Sequence, residues 1–172
     1  MAEKFGTYLF ADKTMYVFVV LDGASVPELP QKLYRLKVES ECLYRGDLKP
    51  DLAEVAPYLV RLEANSEVAD WVLREGWGNH WGIFALSGED LRSMRQHFRR
   101  FLMVYDEGGN PMYFRFYDPR VLRTYLPICN GGEAAALFGP VTAYLLEAEE
   151  PKRALRFRME RGALVRTEEE IA

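Results

Sequence analysis

The hydrophobic pattern starts weakly: residues 8–10 suggest a short strand at most. It becomes strong at 15–21 (MYVFVVL), an unbroken apolar run rich in valine and aromatics, as in a strand covered on both faces. Asp22-Gly23 ends that run as a turn. Leu29, Leu33 and Leu36 recur at i, i+4, i+7 and predict a helix over 28–37, with Pro27 in its first turn. A short extended piece at 42–44 follows, then a polar stretch, 47–56, that reads as a loop or one helical turn. Alternation in PYLVRLE predicts a strand from Pro57. Asn65 or Ser66 can cap a helix carrying Val68, Trp71 and Val72 and stopping at Gly76. Residues 80–86 form a further core strand.

Ser87-Gly88-Glu89-Asp90 opens a helix, with acids in its first turn where the helix dipole favours them. Its apolar stripe is Leu91, Met94, Phe98 and Leu102 or Phe101. Arg92, Arg95, Arg99 and Arg100 lie opposite, and His97 reads as a solvated residue among them. The clearest hairpin joins 101–105 to 112–117 through a reversal at 107–111. Asp118-Pro119 then has the form of an N-cap followed by the first helical residue. Val121, Leu122, Tyr125 and Leu126 form one buried face of that helix, which Pro127 ends. A short helix at 133–138, a strand at 141–148 and an antiparallel pair, 154–159 with 163–166, complete the pattern; 168–172 reads as frayed. Strands alternating with helices imply an α/β or α+β layer fold: a mixed sheet with at least one antiparallel hairpin, about 101–117, and helices packed on it.

With 172 residues the chain is expected to be one domain, 1–172, large enough to need no disulfide or metal staple. Apolar residues at 49% and a rich set of aromatics argue against disorder. A net charge of -4 argues against nucleic acid as the partner. No apolar run is long enough for a membrane span and no leader pattern opens the chain, so a cytoplasmic protein is expected. Cys42 and Cys129 match no zinc or redox spacing, His80 and His97 are too few for a histidine-rich metal site, and no serine sits in a nucleophile elbow. Neither a metal nor a cofactor is expected. Acid pairs such as Glu89/Asp90 and Glu149/Glu150 read as solvated faces.

Two segments carry candidate binding chemistry. Gly76-Trp77-Gly78-Asn79-His80-Trp81-Gly82 is not a dinucleotide fingerprint, since it follows a helix and leads into a strand. It is either a helix C-cap with a Trp-anchored turn or, through Trp77 and Trp81, an aromatic contact surface. In Tyr113-Phe114-Arg115-Phe116-Tyr117-Asp118-Pro119-Arg120, strand alternation puts Tyr113, Arg115 and Tyr117 on one face and the phenylalanines in the core. That segment is either a rigid strand-to-helix corner held by Asp118 with Arg115 or Arg120, or an Arg/Tyr surface that grips a partner. The arginines around Arg100 either complement their helix dipole or bind acidic groups.

These segments also bear a resemblance. Leu21-Asp22-Gly23-Ala24, Leu43-Tyr44 with Gly46, Ala56-Pro57-Tyr58-Leu59-Val60, Gly76-Trp77-Gly78 with Trp81-Gly82-Ile83-Phe84, Phe98-Arg99-Arg100-Phe101-Leu102, the run from Tyr113 to Leu122, Leu126-Pro127 and Phe138-Gly139-Pro140 occur in this order. Over about 15–140 the chain resembles the type VI secretion effector chaperone or adaptor family, formerly a domain of unknown function. The Phe-Arg-Phe-Tyr-Asp-Pro-Arg run is the specific part. The resemblance implies a non-enzymatic protein that binds a toxic effector, often at its N-terminal region, and helps load it onto the VgrG spike. Many members carry a longer C-terminal lobe, whereas here a short extension, 141–172, follows, which moves the expected binding surface onto the shared domain. The expected surface comprises Trp77, Trp81, Arg100, Tyr113, Arg115, Tyr117, Asp118 and Arg120, with no catalytic residue among them. Two rivals stand beside it: a small enzyme with a site around His80, Arg115 and Asp118, and a regulatory protein-binding module.

Overall fold

A computed structural model describes residues 2–106 and 108–171. The 15–21 run forms β1 (Tyr16–Asp22), buried along nearly its whole length. It sits near the middle of a sheet with β2 (Ser40–Cys42), β3 (Pro57–Leu62), β4 (Gly82–Ser87), β7 (Val141–Glu147), β8 (Arg153–Glu160) and β9 (Ala163–Glu170), in the order β2-β3-β1-β4-β7-β8-β9. Val19 pairs with Val60 on one side and Phe84 on the other.

Alternation sends β1 side chains to two cores. Phe18 and Val20 face a cluster built from α5 (Leu91–Phe98), α6 (Pro119–Tyr125) and α7 (Gly131–Phe138), with Phe98, Phe116, Leu122 and Phe138 at its centre. Val17, Val19 and Leu21 face the other, where α1 (Ala2–Leu9), α2 (Leu29–Leu36) and α4 (Glu67–Trp71) bring Phe5, Leu33 and Trp71. Helices cover both faces, which is why β1 reads as a continuous apolar run.

The α+β class and the 101–117 hairpin stand, with β5 (Met103–Tyr105) against β6 (Pro111–Tyr113). The sheet is not mixed: every pairing in it is antiparallel, because no connection makes a parallel crossover between neighbours. Several local expectations change. Residues 8–9 end helix α1, whose Phe5 and Leu9 lie one turn apart and are both buried. Pro30, not Pro27, occupies the first turn of α2. Part of 47–56 is α3 (Pro50–Val55). The helix capped by Ser66 passes into a π-helical turn, Val72–Gly76, after Trp71. Strand β6 stops at Tyr113, so Tyr113, Arg115 and Tyr117 share no strand face. Strand β9 runs on to Glu170 by pairing with β8, where 168–172 was expected to fray. Ala172, and Glu107 at the start of the hairpin reversal, lie outside the described residues.

His97 is buried rather than solvated. Its Nε2 lies 2.9 Å from the Leu137 carbonyl oxygen, and its ring abuts Phe98 and Phe101. Burial lowers its pKa below the ordinary histidine value, outweighing the bond to Leu137.

Candidate partner-binding surface

The surface rests on a charged corner at the end of β1. Asp22 is 1% exposed. Its carboxylate accepts from Ala24 N at 3.1 Å, from Ser25 Oγ at 3.0 Å and from Arg115 Nη2. The backbone here is crowded. A Cβ on Gly23 would stand 2.4 Å from the Glu54 carbonyl oxygen, so only glycine fits after Asp22.

Asp118 caps α6. It accepts from Arg120 N at 2.9 Å and takes the Arg120 guanidinium on both oxygens, Nε at 3.0 Å and Nη2 at 2.7 Å. Arg115 Nη2 lies 3.7 Å from it. Burial would raise the Asp118 pKa, but the Arg120 fork and backbone N–H, with Arg115 behind them, hold it below the ordinary carboxylate value. One arginine thus ties the end of β1 to the start of α6. The ion-paired corner of the sequence alternative at 113–120 is present, and its guanidinium groups remain part-exposed. Tyr117 is buried beside Tyr44, and its hydroxyl pKa is raised by burial and by that neighbour.

The tryptophans serve the second core. Trp77 donates from Nε1 to the Pro151 carbonyl at 2.6 Å, with its ring 4.1 Å from that of Phe5. Trp81 lies 5.1 Å from Trp71, and a Cβ at Gly76 would come within 2.8 Å of it. Both are half-buried. His80, at φ 58°, pairs with the buried carboxylate of Glu147, which also accepts from Gly78 N. The three residues of the enzymatic rival are therefore divided: Arg115 and Asp118 meet at the corner, while His80 is held by Glu147. The cavity beside Glu147, Trp77 and Trp81 measures about 10 Å³, the room of a single water. Among the described residues no His, Cys, Asp or Glu cluster is placed to hold a metal, and no helix is long and apolar enough to cross a membrane.

Above the corner stands the β5–β6 hairpin. On one face Tyr105 is 70% exposed and Tyr113 73%, with Met103 exposed beside them, and on the other Met112 is 48% exposed. Tyr113 packs its ring 6.3 Å from that of Tyr44. Phe114 and Phe116, directly after the hairpin, turn inward, Phe114 tilted against Tyr125 and Phe116 stacked on Phe98. The hairpin is thereby anchored from below while its own side chains face solvent. Arginines flank its base. Arg99 donates to the carbonyls of Cys42, Leu43 and Tyr44, Arg95 pairs with Glu41, and Arg100 is exposed with Nη2 3.2 Å from His97 Nδ1. Of the residues singled out in sequence, Tyr113 and Arg100 lie on the open surface, Arg115 and Arg120 at its charged edge, and Tyr117 and Asp118 beneath. Met103, Tyr105 and Met112 were missed. Their only signal was the brevity of the hairpin, which leaves too few residues for a buried face.

Residues 17–136 match the family described as a domain of unknown function, DUF4123. The chain belongs to this family. It is the domain the resemblance over about 15–140 pointed to, and the match ends at α7. The chain is also similar to a Vibrio cholerae protein named accessory protein VasW, at 32% identity over 101 residues. That stretch is 58% of this chain and 33% of VasW, so the DUF4123 chain matches about a third of that relative's length. No solved structure matches.

Proposed function

We propose that this DUF4123 protein is a type VI secretion accessory protein that works in the cytoplasm as an adaptor. In this reading it binds a toxic effector, at or near the effector's N-terminal region, and helps load it onto the VgrG spike by stoichiometric contact rather than turnover. The observation that carries the reading is the hairpin: Met103, Tyr105 and Tyr113 stand in solvent on one face of it and Met112 on the other, on a braced support that carries Arg100 and Arg115. An exposed aromatic patch with a polar rim is the form a docking site takes. Membership of DUF4123 and the likeness to an accessory protein support it. Tyr105 and Tyr113 are the anchors, Arg100, Arg115 and Arg120 the rim. Trp77, Trp81, Tyr117 and Asp118 keep the support rigid.

The test is co-purification of the tagged chain from cells expressing the secretion genes, with mass spectrometry of what elutes, repeated with a Tyr105→Ala/Tyr113→Ala variant. Both tyrosines are exposed, so the variant keeps the wild-type melting temperature. Aromatic anchors are worth about 2 kcal/mol or more each, roughly thirtyfold in affinity, so effector and spike recovery should collapse. Full recovery with the variant, or a wild-type chain that elutes alone, overturns the proposal.

A further inference from the structure

A polar cleft whose lining includes no hairpin residue lies on the side of the sheet that carries α6. Its volume is about 410 Å³. Strand pairing places Leu155 opposite Glu168 and Phe157 opposite Arg166, so Arg153, Arg166 and Glu168 emerge on one face of β8–β9. The end of α6 contributes Arg123, and the β7–β8 turn contributes Glu149 and Glu150. The charges are unevenly satisfied. Arg153 reaches Glu168 at 3.3 Å and Glu150 at 3.9 Å, and Arg166 shares Glu168 at 3.5 Å. Arg123 has neither ion pair nor acceptor among the described residues, and its Nη1 is sealed from water with no hydrogen-bond partner. The other guanidinium nitrogens of Arg123 are not sealed, so an anion in the cleft can reach them, and the planar fork suits a carboxylate.

We propose that this cleft binds an extended peptide segment through an Asp or Glu side chain, with Arg123 as the anchor and a neighbouring Lys or Arg of the segment meeting Glu149 and Glu150. The carboxylates at the rim select this ligand. Glu149, Glu150 and Glu168 repel a doubly charged phosphate more than a single carboxylate, and they attract a flanking cation. The site is separate from the hairpin and stands whether or not the hairpin docks an effector.

The test is calorimetric titration of the full chain at low ionic strength with an end-capped peptide, acetyl-Gly-Lys-Glu-Lys-Gly-amide. The comparison ligands are its Gln-for-Glu counterpart, succinate and inorganic phosphate. Binding of the Glu peptide is expected, weakened about tenfold or more by the Gln replacement and by Arg123→Gln, with Arg123→Lys intermediate. Arg123→Gln breaks no ion pair and should melt as the wild type does. Should it unfold, Glu149→Lys/Glu150→Lys is the second variant: both positions are exposed, and it should remove the preference for flanking lysines. No binding to the wild type overturns the proposal, as does equal binding of the two peptides or lysine preference unchanged in the double variant. Succinate or phosphate binding more tightly than the Glu peptide overturns it too, assigning the cleft to a free anion.

Discussion

Replacing Arg115 with Ala removes the cation that serves both buried carboxylates of the corner. Breaking a fully buried ion pair costs about 3–5 kcal/mol, whereas an exposed pair contributes about 0–1. Arg115 falls between these, with its side chain 43% exposed and its partner Asp22 only 1% exposed. Asp22 retains its bonds to Ala24 N and Ser25 Oγ, and Asp118 retains Arg120. The loss is therefore near that of one charge-assisted hydrogen bond to a buried acceptor, about 2 kcal/mol. A domain of this size loses roughly 2–4 °C of melting temperature per kcal/mol, so Arg115→Ala should melt about 4–8 °C lower. Urea unfolding should show a lower midpoint at unchanged slope. Asp22→Asn in the Arg115→Ala background removes the stranded charge, so the double variant should be more stable than the sum of the single losses predicts. A melting temperature within about 1 °C of wild type, together with additive single effects, would refute the reasoning. It would mean that Arg115 is solvated and that the corner is held by Asp118 and Arg120 alone.

Two further predictions concern acid. Asp118 has a lowered pKa, so its stabilisation is present above the ordinary carboxylate value and is lost as pH falls through its depressed one. In Arg120→Ala the burial that raises this pKa loses its main opponent, so unfolding on acid titration should begin at higher pH than in the wild type; superimposable pH profiles would count against the fork. His97 is a buried base with a lowered pKa. The unfolded chain binds its proton first, so the melting temperature should fall as pH drops below about 6.5, and His97→Gln should flatten that part of the profile. An unchanged slope in the variant would show that another group titrates there.

Much of this architecture was legible in one sequence. Caps act within a few residues of themselves, so the starts at Ser66, one of two candidates, and at Asp118 were legible, whereas Asp90, read as a first-turn acid, is itself the cap of the helix that begins at Leu91. The two-sided burial of β1 followed from an apolar run without alternation. The corner at 113–120 could be recognised as important, but its main partner could not: Asp22 lies 93 positions from Arg115, and no local pattern announces a contact that remote. A separation of 67 positions likewise hid Glu147 from His80. Helix α1 was missed because eight residues carry only two core positions, Phe5 and Leu9, whose spacing has meaning only against the sheet they cover.

By itself the sequence determined most of the elements, their apolar faces and the family, because propensity, periodicity and motif order are properties of neighbouring residues. Tertiary structure decided which aromatics face water. Tyr113 and Tyr117 are four positions apart in one motif, yet one stands on the hairpin and the other lies in the core. It also decided which charges are satisfied: Arg115 found Asp22 across the fold, and Arg123 has no anionic partner among the described residues. Exposure and pairing depend on what the rest of the chain brings alongside, and that is settled only when the layers close.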